Sequence, residues 1–241
     1  MSKNTAPLPD WELVLSSAAH LQRVLPEAVR VGGTASALYA EHRFSRDAHH
    51  ILTDLRMRFD QVLAELESVA GWRTARVRRP VLILGSLDGI ETGVRQLIRE
   101  TPLETTVLHE CGMALTVPTE AEILRIKGLL ILRRNATRDY LDFVALADHM
   151  GDAAMALALR DLDRLYPQDN GQSALQQLQV QLAHALPFDL EDTELSEYKN
   201  LLPRWHAWAT VQAACTHAAV IIFDQVSQWN AAPSRLDDCK A

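Results

Sequence analysis

Gly32-Gly33-Thr34 is the residue group in this chain with the clearest chemical meaning. Glycines let a backbone approach a phosphate closely, and a helix that follows offers N–H groups with no intrahelical partner. The stretch from Val31 to Leu52, VGGTASALYAEHRFSRDAHHIL, reads as strand, tight turn, helix, strand. Asp47, at the head of the last apolar run, could hold a metal ion. Gly-Gly pairs also serve ordinary turns, so the triplet alone admits both readings. His49-His50 could form a transition-metal site, although no further His stands at ligand spacing.

Other candidates lie downstream. Lys127 interrupts an apolar helix, EILRIKGLLIL, where a charge needs either a snorkelling path to water or an anionic partner. The segment NATRDYLD brings Arg138, Asp139 and Asp142 within five residues; Asp139 and Asp142, at i and i+3, project from one side of a helix. The same acids equally suit a solvated helix start. Arg73, Arg76, Arg78 and Arg79 form a dense basic stretch, either a solvated strand face or a patch that contacts phosphates.

The rest of the chain must position these groups. With 241 residues, 48% of them apolar, it can bury one large core or two modest ones. No apolar run reaches the ~18 residues of a membrane span, and Met1–Pro9 is polar, so the expected location is cytoplasmic with no membrane partner. Cys111, Cys215 and Cys239 are odd in number and far apart, which argues for reduced thiols. A net charge of −7 speaks against broad nucleic-acid binding, but residues 152–241 hold −6 of it and leave the first part nearly neutral.

The spacing of apolar residues predicts a helix from Pro9-Asp10 to Leu25, a strand over Ala28–Val31, a helix over Thr34–His42 and a strand over Ala48–Leu52. An amphipathic helix from Leu55 towards Gly71 follows, and then short strands Arg73–Val77, Val81–Leu84, Val94–Ile98 and Glu104–Leu108. Asp88 and Glu91 are assigned to a turn between them. Thr119 and Glu122 have capping-box spacing and open a helix to about Arg133, with another from Asn135 or Thr137 to Gly151. Three helices, over 152–166, 173–186 and 204–229, complete a bundle. The expected class is α+β: a domain at 1–117 with a small mixed sheet flanked by helices, and a helical domain at 118–241.

In order and spacing, Gly32-Gly33-Thr34, the segment His42-Arg43-Phe44-Ser45-Arg46-Asp47, Lys127, and Arg138-Asp139-Tyr140-Leu141-Asp142-Phe143 resemble the AbiEii/AbiGii-type nucleotidyltransferase toxins, within the DNA polymerase β-like superfamily. The resemblance covers roughly residues 28–150 and implies a nucleotidyltransferase-like first domain whose active site residues 118–150 complete. It assigns the nucleotide to Gly32, Gly33, Thr34, Ser45, Lys127 and Arg138, and catalysis to Asp47, Lys127, Asp139 and Asp142. The cofactor would be Mg²⁺ or Mn²⁺ and the substrate an NTP, whose nucleoside monophosphate passes to an acceptor such as a tRNA 3′ end. A cognate antitoxin is the implied protein partner. One position departs from the pattern: the second metal carboxylate is expected at 49, and the chain has His49. An imidazole there favours Zn, Ni or Mn over Mg²⁺. The alternative is therefore a catalytically impaired relative that keeps the fold as a nucleotide- or partner-binding module.

Overall fold

The computed structural model describes residues 10–169 and 171–231; Pro9 and Cys239 lie outside them. The chain divides into two compact units, one reaching Ile123 and taking in Ser196–Pro203, the other comprising Leu124–Leu195 and the chain from Arg204.

In the first unit, α1 (Trp11–Val24) opens at Asp10, whose carboxylate accepts from the Trp11 N–H at 3.0 Å. Its face of Val14, Leu15, Ala18 and Leu21 is fully buried. Strands β1 (Val29–Arg30), β2 (Ala48–Leu52), β3 (Trp72–Arg78), β4 (Leu82–Leu87) and β5 (Ile90–Gln96) form one sheet in the order β1-β2-β5-β4-β3. Only the β2–β5 pairing is parallel, so the sheet is mixed as expected. Helix α3 (Leu55–Glu67) brings Leu55, Phe59, Val62 and Leu66 onto one face of this sheet, with Leu21 and Leu25 of the α1 segment, against Leu52, Ile83, Leu87 and Val94. Between β1 and β2, α2 (Gly32–Ala40) begins at the glycine pair itself and stops at Glu41, which adopts the left-handed conformation.

In the first unit, two strands differ from the sequence reading. Strand β5 starts at Ile90, so Glu91 lies on a strand and not in a turn. Gly93 suggested a break, but it sits in the middle of the strand, where a Cβ would strike the Ile83 carbonyl and Leu84 of the neighbouring strand β4. Asp88 and Gly89, both with positive φ, close the β4–β5 hairpin. Strand β7 (Met113–Pro118) was not foreseen; it pairs with β6 (Thr105–Glu110) across a turn at Cys111-Gly112, both also at positive φ. Cysteine is an uncommon first residue for such a turn, which hid the hairpin.

Helix α4 (Glu120–Arg134) follows, with the Glu122 N–H bonded to Thr119 Oγ1 at 3.3 Å. The Glu122 carboxylate does not complete a capping box; it receives Arg99 at 2.9 and 2.8 Å. In the second unit, α5 (Thr137–Met150), α6 (Asp152–Leu159), α7 (Leu162–Leu165), α8 (Ala174–Ala183) and α9 (Trp208–Ala231) make the helical bundle. The helix predicted over 152–166 is two helices, and those predicted over 173–186 and 204–229 are α8 and α9. Among the described residues no helix is long and apolar enough to cross a membrane.

Candidate functional site

The first unit builds its site from β1, α2 and β2. Arg30 leaves β1 into the interior, fully buried, and donates to the carbonyls of Val31 (2.8 Å), His49 (2.6 Å) and Asp47 (2.6 Å). Burial lowers its pKa to about 10, against the pull of Asp47, which raises it. Thr34, also fully buried, donates its hydroxyl to the Asp47 carbonyl at 2.8 Å. This hydroxyl, expected at a phosphate, thus ties α2 to the start of β2. Val31 caps α2 with no side-chain bond, so the cap residue supplies no acceptor to the first N–H groups of the helix. The guanidinium of Arg43 and the Ser45 hydroxyl stand against Gly33, where a Cβ would collide with both. Residues 196–203 brace this loop: Phe44 N–H donates to the Lys199 carbonyl at 2.8 Å, Leu202 N–H to the His42 carbonyl at 2.9 Å, and Arg43 lies 5.4 Å from the centre of the Tyr198 ring.

Asp47 projects from the head of β2. Its Oδ1 accepts from Ser45 at 3.0 Å, and its Oδ2 lies 3.4 Å from His49 Nε2, with roughly a third of each side chain exposed. Burial pushes the Asp47 carboxyl up, but His49, Arg30, the Ser45 hydrogen bond and Arg43 together outweigh it and hold the pKa below the usual carboxylate value. The His49 pKa is lowered, mainly by burial and further by Arg30 and Arg95, against Asp47 and Glu91, which raise it. Next to it, His50 points into the core, fully buried, and its pKa falls well below 6.5 through burial and the charges of Arg30 and His49.

These donors do not fit a Mg²⁺ site. Two ligand atoms 3.4 Å apart are close enough to share an ion. One carboxylate already facing two guanidinium groups, paired with an imidazole, is not the set of hard oxygens Mg²⁺ requires. Among the described residues no group of three or more His, Cys, Asp or Glu side chains is arranged to hold a metal. Glu91 is a further acid on this face: β5 runs parallel to β2 with Ala48 opposite Thr92, which sets Glu91 level with Asp47.

The second unit holds the other expected residues. Lys127, only 2% exposed, does not snorkel; its ammonium donates to Asp142 at 2.6 Å and lies 3.6 Å from Asp139. Arg134 clasps Asp139 with two bonds of 3.0 and 2.6 Å. Both aspartates are fully buried, and two cations balance two anions within the cluster. Arg138, one residue before Asp139, is exposed.

Arg30 was missed in the sequence, and Glu91 was assigned to a turn. The signal for Arg30 is a lone cation inside a buried two-residue strand, and that for Glu91 is alternation along Ile90–Gln96, masked by Gly93.

No family model matches the chain. The heme uptake protein MmpL11 of Mycobacterium tuberculosis (strain ATCC 25618 / H37Rv) is 31% identical over 242 residues, covering 91% of this chain and 23% of that protein. The mycolic acid-containing lipids exporter MmpL11 of Mycolicibacterium smegmatis is 28% identical over 219 residues, 90% of this chain and 22% of that protein. The chain thus spans less than a quarter of the length of these curated relatives. Among solved structures, an H. pylori protein assigned as a nucleotidyltransferase superposes with a TM-score of 0.55 at 18% identity, over 91% of this chain and 96% of that one. The fold is therefore nucleotidyltransferase-like, a mixed sheet flanked by helices and followed by a helical bundle.

Proposed function

We propose that this chain is a nucleotide-binding module on a nucleotidyltransferase-like fold, in which guanidinium groups replace the catalytic metal and transfer is lost. The observation that carries it is the setting of Asp47: an imidazole at 3.4 Å and the charges of Arg30 and Arg43, where metal-dependent transfer needs a second carboxylate. The triphosphate of the nucleotide would meet the first N–H groups of α2, at Gly32 and Gly33, with the Arg43 guanidinium beside them and Ser45 close by. In this account Lys127, Asp139 and Asp142 are an ion cluster that holds α4 and α5 together, and Arg138 is a surface cation. The names of the curated relatives support a module that serves a membrane transport protein.

Glu91 favours a second reading. Level with Asp47 on the adjacent strand, it supports metal-dependent transfer with Mg²⁺ or Mn²⁺ between the two acids. A nucleoside monophosphate would then pass to an acceptor such as a tRNA 3′ end, in a toxin controlled by an antitoxin. Incubation with each labelled NTP, Mg²⁺ and total RNA, resolved on a gel, separates the two. We expect no labelled RNA; labelling that EDTA abolishes would establish the transferase and overturn the binding module.

A further inference from the structure

The basic stretch of residues 73–79 does not act as one group. Arg79 pairs with Asp60 of α3 and stacks 5.0 Å from the Phe59 ring centre, on the side of the sheet covered by helices. The other three arginines go elsewhere. A register shift between Thr74 and Arg76 leaves Ala75 as the extra residue of a bulge in β3. Arg73 is opposite Ser86, Arg76 opposite Leu84 and Arg78 opposite Leu82, alternate residues of β4 that share one face. Without the bulge, Arg73 and Arg76 would point to opposite faces. The same face continues over β5 through Glu91, Gly93 and Arg95, which register with Ser86, Leu84 and Leu82, and over β2 to His49, opposite Gly93.

Arg73, Arg76, Arg78 and Arg95 are all exposed. They stand on the face opposite the α1 and α3 core, where Ile83 and Val94 are buried. Alternate residues of a strand are about 7 Å apart, so the three β3 arginines, opposite alternate residues of β4, are spaced at the scale on which successive phosphates follow one another in an extended polynucleotide. β3 is also a sheet edge, so a linear ligand can lie along it. Val77, the exposed apolar residue of this strand, pairs with Ile83 and so faces the other side. A lipid surface would call for exposed apolar side chains among the cations, whereas on this face Leu82 is buried and Leu84 half-buried. Bidentate guanidinium donors suit phosphodiester oxygens.

We propose that this face carries a track for the phosphodiester backbone of a single-stranded nucleic acid, formed by Arg73, Arg76 and Arg78 on the bulged edge strand and widened at its Arg78 end by Arg95 of β5, which shares the level of Leu82 and Arg78. The track does not require the nucleotide site. Because the protein carries −7 overall, capture depends on this row and weakens steeply with salt.

The test is fluorescence anisotropy of a labelled oligouridylate against the full chain over a salt series, with ATP binding to the wild-type chain measured alongside. For single strands the slope of log K against log salt is about −0.7 per phosphate contact, so R76Q/R78Q should flatten it by about 1.4 and weaken low-salt binding about tenfold. R79Q should change neither. R73Q, one contact fewer, should flatten the slope by about half as much and serves if the double variant does not fold. Unchanged slopes in both R76Q/R78Q and R73Q, equal loss in R79Q, or absence of oligouridylate binding by the wild type would overturn the track. Capture of phosphatidylserine vesicles in preference to oligouridylate, with the same arginine dependence, would overturn it in favour of a lipid surface. Oligouridylate binding without ATP binding would remove the nucleotide module and keep the track; the reverse would remove the track alone.

Discussion

At the scale of single residues, charge compensation separates this site from a metal centre. Asp47 is answered by Arg30, Arg43, His49 and Ser45, so it brings little uncompensated negative charge to a cation. Replacement of the imidazole by His49→Asp would place a second carboxylate on the same face of β2, two residues along the strand. Mg²⁺ affinity should then rise about tenfold or more, the equivalent of ~1.4 kcal/mol, as read by isothermal titration. No change in affinity would mean that position 49 does not face a shared ion. Lys127 presents the converse case, a buried cation between two buried acids. Lys127→Met removes the ammonium that donates to the buried Asp142, and the cost should be about 3–5 kcal/mol in urea unfolding. Adding Asp142→Leu should recover much of that loss; if the double variant is as unstable as the two single losses combined, the residues do not act as a pair.

At the scale of elements, β2 alternates between two environments: His49 on the open face, and Ala48, His50 and Leu52 in the core. His50 is a fully buried titrating group. Its folded pKa lies well below 6.5, so below that pH the unfolded chain binds a proton that the folded chain excludes. Stability should therefore fall as the pH drops from 6.5, by up to about 1.4 kcal/mol per pH unit. The thermal midpoint measured across that range in wild type and His50→Gln should show the dependence flattened in the variant; parallel curves would place the titration elsewhere. The strand, helix and strand of residues 28–52 were legible because glycine placement and alternation are local signals, although the glycine pair opens α2 itself and is not a separate turn before it. Where residues were misread, the deciding partner was remote in sequence. Gly93 is required by the approach of Ile83 and Leu84, not by a turn. The Lys127 demand for an anion was readable, but its answer by Asp139 and Asp142 depends on how α4 meets α5. The phase of Arg73 with Arg76 depends on a bulge that alternation alone cannot reveal.

At the scale of the whole molecule, each unit carries its own electrostatic solution. The first sets exposed arginines and a compensated Asp47 on one open sheet face, and the second sets the buried aspartates Asp139 and Asp142 against a buried Lys127 and an exposed Arg134. The excess negative charge lies in residues 152–241, away in sequence from the arginine row, which limits any anionic partner to a local and salt-sensitive contact. A phosphate site made from helix N–H groups and guanidinium, without a bridging ion, has one thermodynamic signature. Titration of ATP into the chain in excess EDTA, repeated with excess Mg²⁺, measures it directly. The account predicts binding in EDTA that Mg²⁺ leaves unchanged or weakens by shielding the phosphates; binding seen only with Mg²⁺ present, or none in either condition, would contradict it.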